Sequence, residues 1–213
     1  MRKLSGLGVA AILALTLAGC GGGDFRPVFV AEILSDQATD GDIAFDGVDF
    51  VITNGPTMLL FGIDEIDPTF PEYRAFLDFP LDGSTGQAAV PVDAEIVSAT
   101  LEVFIDLADF AFPFPASPIP TRLDLVQYPL SGLTPGDYDS APFAFRTLDF
   151  SSADVGNYVA IDVTPLMREA QRRALADFQA RFRLDPAAVA GLVGIEDLPN
   201  VALTAPLLVI EYR

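Results

Sequence analysis

The strongest constraint on this chain is a period of two. Residues 73–79 read Tyr-Arg-Ala-Phe-Leu-Asp-Phe, so Arg74, Phe76 and Asp78 oppose Tyr73, Ala75, Leu77 and Phe79. In residues 100–107, Leu101, Val103, Ile105 and Leu107 face one side, while Glu102 and Asp106 face the other. Side chains alternate between the faces of a strand, so each segment predicts one buried face and one wet face. Apolar runs of strand length recur at 27–34, 48–52, 57–63, 95–107, 122–128, 158–163, 178–184 and 207–212, separated by Gly, Pro, Asp and Asn clusters. Thr164-Pro165 is a helix start, with an N-cap hydroxyl followed by proline at the first helical position. Good helix formers then run to about residue 176, which predicts one short helix over 164–176 followed by the strand at 178–184, with a single longer helix as the alternative. No break divides the chain beyond residue 27 and no repeat is visible, so the pattern predicts a single all-β antiparallel sandwich over 27–213.

Composition excludes chemistries. The 213 residues contain no His, one Cys and no Trp, with 12 Lys+Arg against 30 Asp+Glu. Without His there is no Ser-His-Asp triad, no Cys-His pair and no imidazole metal site. A single Cys allows no intrachain disulfide and no thiolate zinc cluster. A formal charge of −18 excludes nucleic acid as a partner, because phosphate neutralisation needs clustered Lys and Arg. Two carboxylates suffice for glycoside hydrolysis, but thirty acids make any one pair uninformative. The expectation is a non-catalytic chain.

The first twenty residues read as an address. Arg2 and Lys3 precede an apolar stretch over 4–18, too short to span a membrane and suited to a signal peptide. Its end, Leu17-Ala18-Gly19-Cys20, resembles the bacterial lipobox. The resemblance implies cleavage after residue 19, a diacylglyceryl thioether and an acylated (palmitate-type) amine on Cys20, and hence a lipid-anchored envelope protein. Gly21 in place of Asp points to the outer rather than the inner membrane. Maturation leaves ten Arg, no Lys and a formal charge of −20, with Gly21-Gly22-Gly23 within a short tether over 20–26.

The order of strands also resembles the disaggregatase-related domain, often called DNRLRE, a jelly-roll-like sandwich of secreted and surface proteins. The likeness rests on residues 73–79, on Val97-Ser98-Ala99-Thr100-Leu101-Glu102-Val103-Phe104, on Val159-Ala160-Ile161-Asp162-Val163-Thr164-Pro165-Leu166, and on the closing Ala205-Pro206-Leu207-Leu208-Val209-Ile210-Glu211-Tyr212. Related modules bind polysaccharides, which implies a carbohydrate-binding module on the cell surface as the alternative to a structural or interaction module contacting another envelope protein. The tryptophan usual before the Asp-Val-Thr segment is replaced here by Tyr158.

Two groups of residues could carry such functions. Asp36, Asp40, Asp42, Asp46 and Asp49 fall within fourteen residues, with Gly41 and Gly47 among them, and Ca²⁺ takes six to eight oxygens from loops of this kind. No cofactor is required, and calcium is the one candidate ion. Tyr73, Tyr128, Tyr138 and Tyr158, with Phe110, Phe112 and Phe114 of a proline-rich stretch, are the candidate stacking platforms for a sugar. The arginines at 168, 172, 173, 181 and 183 are expected to pair with acidic neighbours, and Arg74 with a nearby carboxylate.

Overall fold

The computed structural model describes residues 26–55, 58–86, 88–106, 118–188, 191–197 and 204–213. The signal segment, Cys20, the glycine tether up to residue 25 and the Phe110–Phe114 stretch lie outside the described residues. The strands are β1 (Phe29–Leu34), β2 (Gly41–Phe45), β3 (Phe50–Asn54), β4 (Met58–Ile63), β5 (Glu72–Pro80) and β6 (Ile96–Phe104). After them come β7 (Ile119–Val126), β8 (Ala144–Phe150), β9 (Tyr158–Asp162), the helix α1 (Thr164–Arg172), β10 (Asp177–Leu184), β11 (Gly191–Glu196) and β12 (Leu207–Tyr212). All pairings are antiparallel. A four-stranded sheet runs β1-β12-β6-β9, and a larger sheet runs β11-β4-β5-β10-β7-β8, with β2 joined to β5 and β3 to β2. The fold is the expected all-β sandwich.

The main core lies between the sheets. Ala31, Ile33, Leu101, Val103, Ile161, Leu208 and Ile210 come from the small sheet; Phe61, Leu77, Phe79, Leu123, Phe178 and Phe182 come from the large one. Phe61 stacks on Phe182 at 5.4 Å between centroids and tilts against Phe150 at 5.5 Å. Phenylalanine supplies the bulk that tryptophan would otherwise provide.

The outer face of the large sheet departs from expectation. Arg74, Phe76 and Asp78 were expected on a wet face, yet all three are buried, as are Asp124, Gln179 and Arg181. The cover is the connection 127–143 between β7 and β8, together with the β2–β3 hairpin. Tyr128, Leu133 and Tyr138 from the former and Ile43 from the latter make a second apolar cluster with Phe76 and Val126. The central strands therefore have two dry faces.

The helix start is also shifted. Val163 is the N-cap, and Thr164 and Pro165 open the first turn. The Asp162 carboxylate accepts the Thr164 N–H at 2.9 Å. The Thr164 hydroxyl accepts the Ala99 N–H at 2.9 Å, tying the helix to β6. Leu166, Met167 and Ala170 then bury the inner stripe of the helix in the main core.

Candidate functional site

Three of the residues singled out above meet in one place. Asp46 and Asp49 at the β2–β3 turn and Tyr73 at the start of β5 line a cleft completed by Ala44, Val51, Asp67, Thr69 and Pro71. Its volume is about 130 Å³, room for roughly four waters. Local chemistry shapes its walls. The Asp46 carboxylate accepts the N–H groups of Val48 and Asp49, each at 2.8 Å, which closes the turn. Asp67 accepts the Thr69 N–H at 2.8 Å and its hydroxyl at 2.7 Å. The amides of Asp49 and Val48 hold Asp46 below the usual carboxylate range, and the Thr69 amide and hydroxyl do the same for Asp67. Burial, then the nearby Asp64 and Asp42, push the Tyr73 phenol up, so it stays a donor. Phe70, beside the cleft, is 60% exposed and holds a left-handed backbone at φ 50°, an uncommon state for an aromatic residue. The cleft thus offers ionised carboxylates, a phenolic O–H and a small apolar wall: it suits a neutral hydroxyl-bearing or cationic group and repels an anion.

The other tyrosines do not join it. Tyr128 and Tyr138 are buried, and their rings serve the second apolar cluster rather than a ligand. Tyr128 meets Phe76 edge-on at 5.5 Å. Tyr138 packs edge-on against Phe45 and Phe50 and lies under the Arg74 guanidinium, 3.7 Å from the ring centroid. Tyr158 is 53% exposed on β9, in the other sheet, with its ring against Phe104. The four form no common platform.

The five aspartates likewise do not share one loop. The stretch expected to be an acidic turn contains β2, which separates Asp36 and Asp40 from Asp46 and Asp49. Along the five-residue strand β2, the six residue steps from Asp40 to Asp46 span about 20 Å, too far for one ion. Asp36 accepts the Ala38 N–H at 3.1 Å in a local turn, and Asp42 accepts the Leu60 N–H at 3.1 Å. Among the described residues, no group of three or more acidic side chains is placed to hold a metal ion.

A different acidic group is assembled instead, from residues far apart in the chain. Asp40, Asp78 of β5 and Asp197 just after β11 are 0%, 1% and 0% exposed. Asp40 accepts the Asp78 N–H at 2.7 Å, and Asp78 accepts the Thr39 hydroxyl at 3.0 Å. Gln37 donates to Asp197 at 3.3 Å, with the Ser35 hydroxyl at 3.5 Å. Asp40 Oδ2, Asp78 Oδ1, Asp197 Oδ2 and the Tyr128 hydroxyl have no hydrogen-bond partner among the described residues. Burial, reinforced by Asp197, pushes Asp40 well up; burial, with Asp177 adding to it, lifts Asp78 to about 6, and burial lifts Asp197 to about 6. Only Asp40 of this group had been singled out in the sequence. The others carry no local signal, because strand pairing and chain reversal bring them together.

The expected arginine pairing is present for four of the five grouped arginines, and Arg168 meets carbonyls instead of an acid. Arg172 and Arg173 each reach Glu169 at 2.6 Å, and Arg181 and Arg183 reach Asp124 at 2.7 and 2.9 Å. Arg168 donates to the carbonyls of Ile96 and Val97. Arg74 pairs with Glu72 and Asp139. No protein-family model matches the chain, and no curated protein matches it in sequence.

Proposed function

We propose that this chain is an envelope-anchored lipoprotein, sited at the outer membrane, whose sandwich is a non-catalytic structural or interaction module of the disaggregatase-related type. The observation that carries the reading is Leu17-Ala18-Gly19-Cys20, holding the one Cys of the chain, followed within nine residues by β1. The arrangement of acids supports a non-catalytic role. The carboxyls with raised pKa are sealed inside the domain, whereas the accessible cleft holds carboxylates that are already ionised and poor proton donors. The test is Cys20→Ser with membrane fractionation and fatty-acid labelling. The variant is expected to leave the membrane and to lose the label; a variant that stays membrane-bound overturns the reading.

One observation favours a second reading, polysaccharide binding: Tyr73 shares its cleft with Asp46 and Asp49. A glycan array with and without Ca²⁺ tests it. Binding that Tyr73→Ala abolishes supports a sugar site there, and no retained glycan under either condition removes it.

A further inference from the structure

We propose that one end of the sandwich lies against an anionic lipid bilayer, with Val28, Phe29 and Val30 at the headgroup level. The proposal rests on the reading of Cys20 as a lipid anchor.

Three neighbouring apolar side chains are exposed where the described chain begins: Val28 at 45%, Phe29 at 52% and Val30 at 53%. A strand entering a sandwich ordinarily hides such residues or replaces them with polar ones. Pairing defines what surrounds them. Phe29 pairs with Tyr212 of β12 and stacks on its ring at 5.7 Å, and Tyr212 pairs with Ile96 of β6. The carbonyl of Ile96 accepts from Arg168 of α1. One row across the small sheet therefore joins the start of β1 to the helix. The loop before β6 adds Val92, 68% exposed, and is held to this end by backbone bonds between Glu95 and Arg213.

The charge of this end differs from that of the rest. The chain from residue 26 onward has ten arginines against 29 acids. Arg74, Arg122, Arg181 and Arg183 belong to the buried network of the large sheet, whereas Arg26, Arg168, Arg172 and Arg213 are exposed around this end. Of the acids here, Glu95 pairs with Arg26, Glu169 with Arg172 and Arg173, and Glu211 accepts the Ser98 hydroxyl, while Asp93 beside Val92 and Glu32 on β1 are exposed. Apolar side chains ringed by arginine are the composition that seats a surface on anionic lipid.

Chain length fixes the side. Val28 lies eight residue steps beyond Cys20, a stretch that spans at most about 28 Å when fully extended. A folded domain of this size is about 40 Å across. A tether shorter than the domain keeps its own exit face towards the membrane.

The absence of tryptophan makes the test direct, since one introduced Trp is the sole such fluorophore. Lipidated full-length Phe29→Trp and Val30→Trp proteins are reconstituted into vesicles of phosphatidylethanolamine and phosphatidylglycerol, with and without brominated acyl chains. Val48→Trp, at an exposed apolar position on the β2–β3 turn, is the control. The expected result is co-flotation of all three, with blue-shifted, bromine-quenched emission at 29 and 30 and none at 48. Replacing phosphatidylglycerol by phosphatidylcholine, or combining Arg168→Glu with Arg213→Glu, is expected to weaken the quenching. Flotation without quenching at 29 and 30, or equal quenching at 48, overturns the apposition while the anchor stands. Failure of the proteins to float overturns the anchor and the apposition with it.

Discussion

The outer face of the large sheet buries charge twice, in opposite ways. At one place Arg181, 2% exposed, donates to Asp124, to the carbonyls of Asp137, Tyr138 and Ser140, and to the Ser140 hydroxyl. Asp124 receives Arg122 and Arg183 as well. Burial pushes the Asp124 carboxyl up, but hydrogen bonds and charge from Arg181 and Arg183 outweigh it and hold the group below the usual range. At the other place Asp40, Asp78 and Asp197 are as deeply buried, yet none makes an ion pair among the described residues, and each keeps an oxygen without a donor. Depth is equal; partners differ. Desolvation alone does not decide the cost of a buried charge: what fills the remaining valences does. The first place bolts the connection 127–143 onto β7 and β10. The second gathers the β1–β2 connection, β5 and the end of β11 around three carboxyls whose pKa burial raises.

That contrast can be broken most forcefully at its compensated half. Asp124→Ala strands three arginines, one of them fully buried, and is expected to cost about 3–5 kcal/mol, read as a fall in the urea midpoint; a change near zero would show that carbonyls alone satisfy Arg181. The next largest effect lies in pH. Burial lifts Asp42, Asp78 and Asp197 to about 6 from 3.8, so the native state holds more protons than the unfolded chain between about pH 4 and 7. Stability therefore falls as pH rises through that window, by up to about 3 kcal/mol for each group. The lowered carboxyls, such as Asp124 and Asp162, lose their contribution only below it. Calorimetry should give a melting temperature at pH 5 above that at pH 8 by about 5 °C or more; the reverse order would dissolve the comparison. Asp40→Asn keeps the acceptor for the Asp78 amide but removes one charge. It is expected to stabilise the protein at pH 8 by about 1–2 kcal/mol and to narrow the pH 5 to pH 8 difference. The smallest effect belongs to the exposed helix pair: Arg172→Ala should leave the urea midpoint unmoved within error, because water and salt already screen its contact with Glu169.

The strands that could be read in the sequence are those with one consistently apolar face. β5, β6, β10 and β12 sit where alternation places them. Three strands left no readable trace: β2 is flanked by the aspartates that made it look like a turn, β8 alternates Phe145, Arg146, Thr147, Leu148 and Asp149 at a sheet edge, and β11 contains two glycines. One of them, Gly191, lies so close to Gly62 of β4 that a side-chain carbon on Gly62 would strike its carbonyl. The second dry face of β5 was not legible because its cover comes from the separate β2–β3 hairpin before it and from the connection 127–143, about fifty residues after it. The Arg181–Asp124 pair spans 57 positions, and Asp40 and Asp197 stand further apart still. Of the candidate cleft, Asp46, Asp49 and Tyr73 could be named in advance. That they meet depends on the β2–β5 register, in which Ala44 pairs with Tyr73; Asp67 and Thr69 enter only because the β4–β5 loop folds over the same spot.

The place of β12 in the small sheet has a consequence for how the chain matures. Strand β12 lies between β1 and β6, so among the described residues β1 has no hydrogen-bonded strand neighbour in that sheet until residues 207–212 arrive. Closing that gap joins segments separated by nearly the whole chain, which makes folding slow and leaves β1 and its apolar side chains open meanwhile. Until residues 207–212 emerge, the nascent chain has a half-made sheet with an adhesive edge. The exposure of that edge is set by topology rather than by the stability of the finished domain.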